Sequence, residues 1–193
     1  AERQWLERGT DSPYFQRWFS DSKVKTDEGD PIVMYHGTPS AGFNVFDTYG
    51  SNYGLFGQGA YFTDSLPVAS TYTSKGIGKL KQKGKPIQEG VYPVYLNIQN
   101  PIDMDDAADL SKWRDTYLGT EHGDRFKEGM TNRQVFQTLE EVLQDEGIYQ
   151  SEGGEMMQGV LQQMGYDGIT HIGGGIANPK STTRHRAYIA FEP

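Results

Sequence analysis

Apolar residues along this chain switch between a helical period and a strand period, and glycine, proline and asparagine mark the breaks. Tyr14, Phe15, Trp18 and Phe19 form a helical stripe behind Asp11-Ser12-Pro13, a cap followed by a helix-starting proline. This predicts a short amphipathic lead-in helix within residues 11–24. Lys23-Val24-Lys25 and Ile32-Val33-Met34-Tyr35 flank Thr26-Asp27-Glu28-Gly29-Asp30 and read as a hairpin, whose second strand ends on a His36-Gly37-Thr38 turn. Phe43, Val45 and Phe46 are expected in the core, and residues 47–57 in a loop. Tyr61-Phe62 is a β-favouring pair after a glycine-rich entry, so a short strand is expected there. Ser65 then caps a helix with Leu66 and Pro67 in its first turn. Val68 and Tyr72, four residues apart, share one face of that helix.

Val91 to Ile98 reads as a strand ended by Asn100-Pro101, with Pro93 hinting at a sheet edge or bulge. The acidic stretch from Asp103 to Asp109 is expected to be a solvated helix start. It lacks the glycine hinge and distal glutamate of a calcium loop. Residues 109–164 read as a helical insert, with Leu110 and Trp113 on one helix and a polar loop from Gly119 to Met130. Thr131 caps a helix carrying Val135, Phe136, Leu139, Val142 and Leu143, and Met156, Met157, Val160, Leu161 and Met164 form another core stripe. Glu140, Glu141, Glu146, Glu152 and Glu155 read as surface charge. Gly165 to Ile172 and Ala187 to Phe191 close the chain as strands. Helix, hairpin, strand–helix, strands, helical insert and closing strands together predict an α+β class.

Composition narrows this picture. A chain of 193 residues with 35% hydrophobic content suits a single domain over residues 1–193. The absence of cysteine excludes disulfides, thiolate chemistry and cysteine-based zinc sites. A net charge of −8 argues against nucleic-acid or membrane binding as a global property. No apolar run approaches the roughly 20 residues of a membrane span, so no membrane partner is expected. The N-terminus lacks a signal-peptide pattern, and the chain opens on Ala1-Glu2-Arg3 without an initiator Met, which fits an excised C-terminal domain. Lys75 to Lys85 holds five lysines and three glycines in eleven residues, which predicts a solvated loop able to act as a flexible flap. Lys180, Arg184, His185 and Arg186 add a second basic cluster.

Candidate chemistry enters with Tyr61 and Tyr72. One sits on a strand end and the other on the next helix, and two converging aromatic faces suit a flat ring such as nicotinamide. His36 offers an imidazole, Gly37 an accessible backbone, and Thr38 a hydroxyl. His36, followed by Tyr61, ten intervening residues and Tyr72, resembles the diphtheria-toxin-like ADP-ribosyltransferases, a class that includes the poly(ADP-ribose) polymerases. That class marks its NAD site with His, Tyr-x10-Tyr and Glu. The lead-in from Tyr14 to Val24 resembles more narrowly the ADP-ribosyltransferase domains of phage and prophage polyvalent proteins and related bacterial toxins. The likeness runs from roughly Tyr14 to the C-terminus. It implies an α+β ADP-ribosyltransferase fold, with split and mostly antiparallel β-sheets around an NAD cleft. NAD is then the co-substrate and no metal is needed. His36 and Gly37 would hold the adenosine ribose and the nicotinamide amide, with Thr38, Tyr61, Phe62, Ala69 and Tyr72 completing the NAD site.

The last strand departs from the pattern. Members of the polyvalent group end on Glu-Tyr-hydrophobic-hydrophobic-Phe-Asp-Pro, whereas this chain ends Ala187-Tyr188-Ile189-Ala190-Phe191-Glu192-Pro193. Ala187 therefore stands where the family carries its catalytic glutamate. Glu192 lies five residues on, an odd offset that points to the opposite face of a regular strand. The glutamate stabilises the positive charge that builds on the ribose as the glycosidic bond to nicotinamide breaks, and alanine cannot. The expectation is a mono-ADP-ribosyltransferase toxin or effector domain disabled at Ala187, by design or as a natural pseudoenzyme. The alternative is a non-catalytic NAD-binding or protein-interaction module of a phage or secretion system. The implied partners are a macromolecular acceptor, protein or nucleic acid, and an immunity or antitoxin protein, in the cytoplasm of a target or host cell. Two other motifs are set aside. Gly173 to Gly175 follow a strand but open no helix, so the dinucleotide fingerprint is not met. Ser181-Thr182-Thr183 lacks the upstream arginine and late Glu-x-Glu of the arginine-containing transferase branch.

Overall fold

The computed structural model describes residues 2–48, 53–174 and 183–192. In chain order its elements are α1 (Glu2–Arg8), α2 (Pro13–Phe19), β1 (Met34–Thr38), β2 (Tyr53–Gly54), β3 (Gly57–Gln58), β4 (Ala60–Thr63), α3 (Leu66–Tyr72), α4 (Ile77–Gln82) and β5 (Gly90–Val94). There follow β6 (Pro101–Asp103), α5 (Leu110–Arg114), α6 (Tyr117–His122), α7 (Asn132–Asp145), α8 (Gln150–Gln163), β7 (Gly168–Gly173) and β8 (His185–Ala190). The chain forms two compact units, Ala1–Gly42 with Phe62–Asn100, and Phe43–Tyr61 with Pro101–Pro193.

In the first unit β1 lies between β5 and β4 and runs antiparallel to both. It pairs with β5 along its whole length, from Met34↔Val94 to Thr38↔Gly90, and with β4 at Tyr35↔Thr63. Pro93 sits in β5 at the sheet edge, where its missing N–H costs no ladder bond. The lead-in helix α2 is present, with Phe15 and Phe19 buried and Tyr14 and Trp18 exposed. Phe15 stacks on Phe19 at 5.2 Å and meets the Tyr95 ring edge-on at 5.0 Å. Helix α1, which no cap or periodic stripe announces, is held to this cluster by Trp5, 5.4 Å from Phe15.

Buried Ser22 then fixes the chain. Its Oγ donates to the Leu96 carbonyl at 2.7 Å and accepts from the Val24 N–H at 3.1 Å. The predicted hairpin closes through one bridged pair, Lys25↔Pro31, instead of two full strands. Pro31 has no N–H to extend the ladder, so regular pairing begins only at Met34. The lysine-rich stretch is likewise not the predicted loop throughout. Residues Ile77–Gln82 are helical behind Gly76, whose φ of 82° sets the turn, because lysine, leucine and glutamine are good helix formers.

The second unit holds a sheet in which β7 lies between β6 and β8. β6 runs parallel to β7, and β8 runs antiparallel to it from Gly168↔Ala190 to Gly173↔His185. Residues 47–57 are not all loop, because β2 and β3 pair as a small hairpin at Tyr53↔Gln58 and Gly54↔Gly57. Val45 is 67% exposed, contrary to its expected place in the core, while Phe43 and Phe46 meet edge to face at 5.1 Å. The core is built by Val135, Phe136, Leu139 and Leu143 of α7 and Met157, Val160 and Leu161 of α8. They pack with Trp113, Ile102, Ile169 and Ile189.

Entry into α7 is a capping box. Thr131 Oγ1 accepts from the Gln134 N–H at 3.3 Å and Gln134 Oε1 from the Thr131 N–H at 2.8 Å. The predicted polar loop from Gly119 is partly helical, since α6 runs to His122 from a Thr116 cap. Gly119 lies against α5 so closely that a Cβ there would stand 1.8 Å from the Trp113 carbonyl oxygen. Trp113 Nε1 donates to Asn132 Oδ1, and Asn132 Nδ2 to the Asp103 carbonyl, both at 2.9 Å. This buried chain ties α5, α7 and β6 together and leaves none of the three groups unpaired. Asp109 caps α5 as expected, accepting from the Ser111 N–H at 3.1 Å. Asp103 and Asp105 are not merely solvated. They pair with Arg186 at 2.9 Å and Arg133 at 2.6 Å.

Removing packing atoms and removing a cap should therefore separate cleanly in urea unfolding. Phe136→Ala is expected to cost about 3–5 kcal/mol, as a cavity in a fully buried core, and Thr131→Ala about 1 kcal/mol.

Candidate functional site

Within the first unit, His36, Gly37 and Thr38 belong to β1 itself and do not form the predicted turn beyond it. They pair with Tyr92, Val91 and Gly90. Alternation along the strand puts His36 and Gly37 on opposite faces. His36 is half-buried with its ring 5.6 Å from that of Phe62. Gly37 faces α3, where a Cβ would stand 1.8 Å from the Ala69 carbonyl oxygen and 3.2 Å from Tyr72 Cβ. The missing side chain at Gly37 thus makes room for the backbone of α3. Helix α3 starts as predicted, with Ser65 Oγ accepting from the Val68 N–H at 3.4 Å. Its last residue, Tyr72, is 39% exposed and carries the Lys75 ammonium 4.1 Å from its ring centroid. Thr38 Oγ1 accepts from the Ser40 N–H at 3.2 Å, and Ala69 is buried. The structure thus groups His36 with Phe62, and Gly37 with Ala69 and Tyr72.

The second unit holds Tyr61 and Ala187. Tyr61 is pinned at its hydroxyl. Its hydroxyl donates to the Gly57 carbonyl at 2.7 Å and accepts from the Phe56 N–H at 3.1 Å. Its ring lies against Gly54, where any Cβ would come within 2.4 Å. Ala187 is buried in β8 directly opposite His171 of β7, and its carbonyl accepts from Thr170 Oγ1 at 3.0 Å. Glu192 lies exposed beyond the end of β8.

Beside Ala187 stands a group of side chains that sequence reasoning missed. His171 is buried with the Phe56 ring edge-on at 4.9 Å, and the Arg133 guanidinium lies 5.0 Å from the centre of that same ring. Asp105 binds Arg133 Nη2 through one carboxylate oxygen and the Ile172 N–H through the other, both at 2.6 Å. His171 Nδ1 and Arg133 Nη1 are buried without a hydrogen-bond partner among the described residues. Burial pushes the His171 imidazole below its ordinary pKa. A backbone contact at Ile172 and the Asp105 charge oppose this, while Arg133 and His185 add to it. Partial burial alone would push the Asp105 carboxyl up, but the Ile172 N–H and Arg133 outweigh it and hold it below the usual range. The available signal was His171 itself, the one ionisable side chain in a strand of glycine, isoleucine and threonine.

Residues 26–193 match the family of ADP-ribosyltransferases in polyvalent proteins. The chain belongs to that family. No curated protein and no solved structure matches it. The match begins after α1 and α2, so the lead-in helix precedes the shared domain. The mixed α+β architecture with mostly antiparallel strands is that of an ADP-ribosyltransferase domain, an enzyme class that uses NAD as co-substrate.

The residues of this ADP-ribosyltransferase suit such a molecule in kind. Tyr72 presents ring surface to solvent, and His36 is neither fully buried nor fully exposed. Gly173, in the glycine run set aside above, packs against the His185 ring, where a Cβ would come within 2.3 Å of Nε2. Gly175, Ser181 and Thr182 lie outside the described residues. No grouping of metal-ligating side chains occurs among the described residues.

Gly37→Ala should force α3 off β1 and cost about 1–3 kcal/mol in urea unfolding. Gly78→Ala, with open space around it in α4, should be neutral or stabilising. Because the His171 pKa is lowered by folding, the unfolded chain binds a proton first as pH falls. Stability should therefore decline as pH drops below His171's ordinary value of 6.5, and that decline should be shallower in His171→Asn.

Proposed function

We propose that this domain is a mono-ADP-ribosyltransferase of the toxin or effector kind, built to modify a macromolecular acceptor, and that it is disabled at Ala187. The observation that carries the reading is a buried methyl group at the middle of β8, where the family resemblance implies a glutamate. In this reaction the bond from ribose C1′ to the nicotinamide nitrogen breaks and nicotinamide leaves with the bonding pair. The acceptor's nucleophile bonds to C1′, and its proton passes to a carboxylate or to water.

In this reading the family resemblance assigns the rings of Tyr61 and Tyr72 to nicotinamide. Tyr61 is held by its two hydrogen bonds and Tyr72 is positioned by the close seating of α3 on Gly37. His36 addresses ribose hydroxyls, and Phe62 fixes its ring. The Gly37 backbone and the Thr38 hydroxyl serve the carboxamide and ribose, while Ala69 acts from behind by packing α3 on the strand. No metal is required. What alanine lacks is a negative charge aimed at the cationic sugar of the transition state, a contribution typically on the order of 10²–10³ in rate. The acceptor is a protein or a nucleic acid, the place of action is the cytoplasm of a target or host cell, and an immunity protein is the expected binding partner. The exposed lysines flanking and within α4 suit an anionic surface on one of these partners.

Calorimetric titration of NAD into this chain should give binding, and Tyr72→Ala should weaken it about tenfold. Ala187→Glu should release nicotinamide at least about 10²-fold faster than this chain. Binding without turnover in Ala187→Glu would instead favour a non-catalytic NAD-binding module. No binding at all would overturn the reading.

A further inference from the structure

His171 is buried and pairs in register with Ala187. Directly opposed residues of an antiparallel pair project to the same face, with Cβ atoms about 4.5–5.5 Å apart. The larger polar partner carries a ring nitrogen, Nδ1, with no hydrogen bond among the described residues, and the smaller one ends in a methyl. A buried polar atom left unpaired costs about 1–3 kcal/mol, so native structures rarely keep one without a use for it. The group that would satisfy this nitrogen is a hydrogen-bond acceptor borne on a longer side chain at residue 187. Asp105 does not take that place, because its oxygens are engaged by Arg133 and the Ile172 N–H.

We propose that His171 is a positioning residue for the transferase reaction, holding the carboxylate required at residue 187 through a hydrogen bond across the β7–β8 pair. This rests on the reading of Ala187 as the place of the catalytic glutamate. The tautomer with its proton on Nδ1 donates to one carboxylate oxygen and leaves the other free to face the ribose. Phe56 fixes the imidazole plane from the side. The charged and titratable groups around the ring are Arg133 from α7, Asp105 from the turn after β6 and His185 from β8. Burial first, then Arg133 and His185, hold the imidazole below its ordinary pKa against the opposing Ile172 backbone and Asp105, and a carboxylate at residue 187 would shift it toward the protonated form.

The test is an NMR pH titration of the His171 imidazole in this chain and in Ala187→Glu, beside nicotinamide release. The expected result is an upward shift of about one to three pH units in Ala187→Glu. Adding His171→Ala to that variant should lower kcat at least about tenfold with little change in the KM for NAD. An unmoved His171 titration in an Ala187→Glu protein that releases nicotinamide would overturn the positioning role and leave the transferase reading standing. A shifted titration without nicotinamide release would support the pairing and overturn the transferase reading. If Ala187→Glu does not fold, Ala187→Gln offers the same acceptor without charge. A change of the His171 Nδ1 resonance toward a hydrogen-bonded donor then supports the pairing, and an unchanged resonance overturns it.

Discussion

The second unit depends on one antiparallel pairing, that of β7 with β8. Its register sets Ile169 opposite Ile189 and His171 opposite Ala187. The first pair joins the core beneath α7 and α8, and the second follows two residues later on the same face. A slip of β8 by one residue would take Ile189 off the face it shares with Ile169 beneath α7 and α8, so that packing holds the register. The chemistry proposed at residue 187 is therefore located by hydrophobic burial two residues away. Function at this position needs no loop to hold it, because the middle of a paired strand is among the most rigid parts of such a unit.

A comparable constraint runs through the first unit at Gly37. Helix α3 approaches β1 so closely that its Ala69 carbonyl occupies the place of a side chain. Tyr72, at the end of that helix, inherits its position from this contact, while Lys75 covers part of its ring. Glycine in a strand interior is ordinarily destabilising. Here it permits the seating of the helix that bears a candidate binding residue, which explains its presence between a histidine and a threonine better than backbone freedom does. Gly37 has no positive φ to require it.

What was legible in the sequence was local. Ser65 and Thr131 announced their helices because a cap acts within three residues, and Pro93 announced a sheet edge because the missing N–H has few other places. The ordered set His36, Tyr61 and Tyr72 led to the family for the same reason, since spacing along a chain survives without coordinates. The misreadings were non-local or balanced. Arg133 and Asp105 look like solvent charges until a fold brings residues 28 apart within 2.6 Å. Val45 looks apolar and buried, yet no element covers it. The lysine stretch carries helix formers and glycines together, and propensity alone could not choose between them. His171 needed three segments, Phe56, Arg133 and β8, before its isolation became visible.

Burial and the charges around His171 act together on its protonation. Among the described residues Asp105 is the carboxylate that acts on both the guanidinium of Arg133 and, more weakly, the imidazole. With Arg133 fully charged, a protonated His171 would add a second buried cation against a single anion, and desolvation makes that combination costly. The imidazole avoids that cost by staying neutral, and its Nδ1 has no hydrogen-bond partner among the described residues. A glutamate at residue 187 would supply the second anion and a hydrogen-bond acceptor together, and only then would the group hold two cations and two anions. On this reading the proposed reaction lacks its carboxylate at the residue that stands opposite His171, where the anion would meet an imidazole held neutral chiefly by burial.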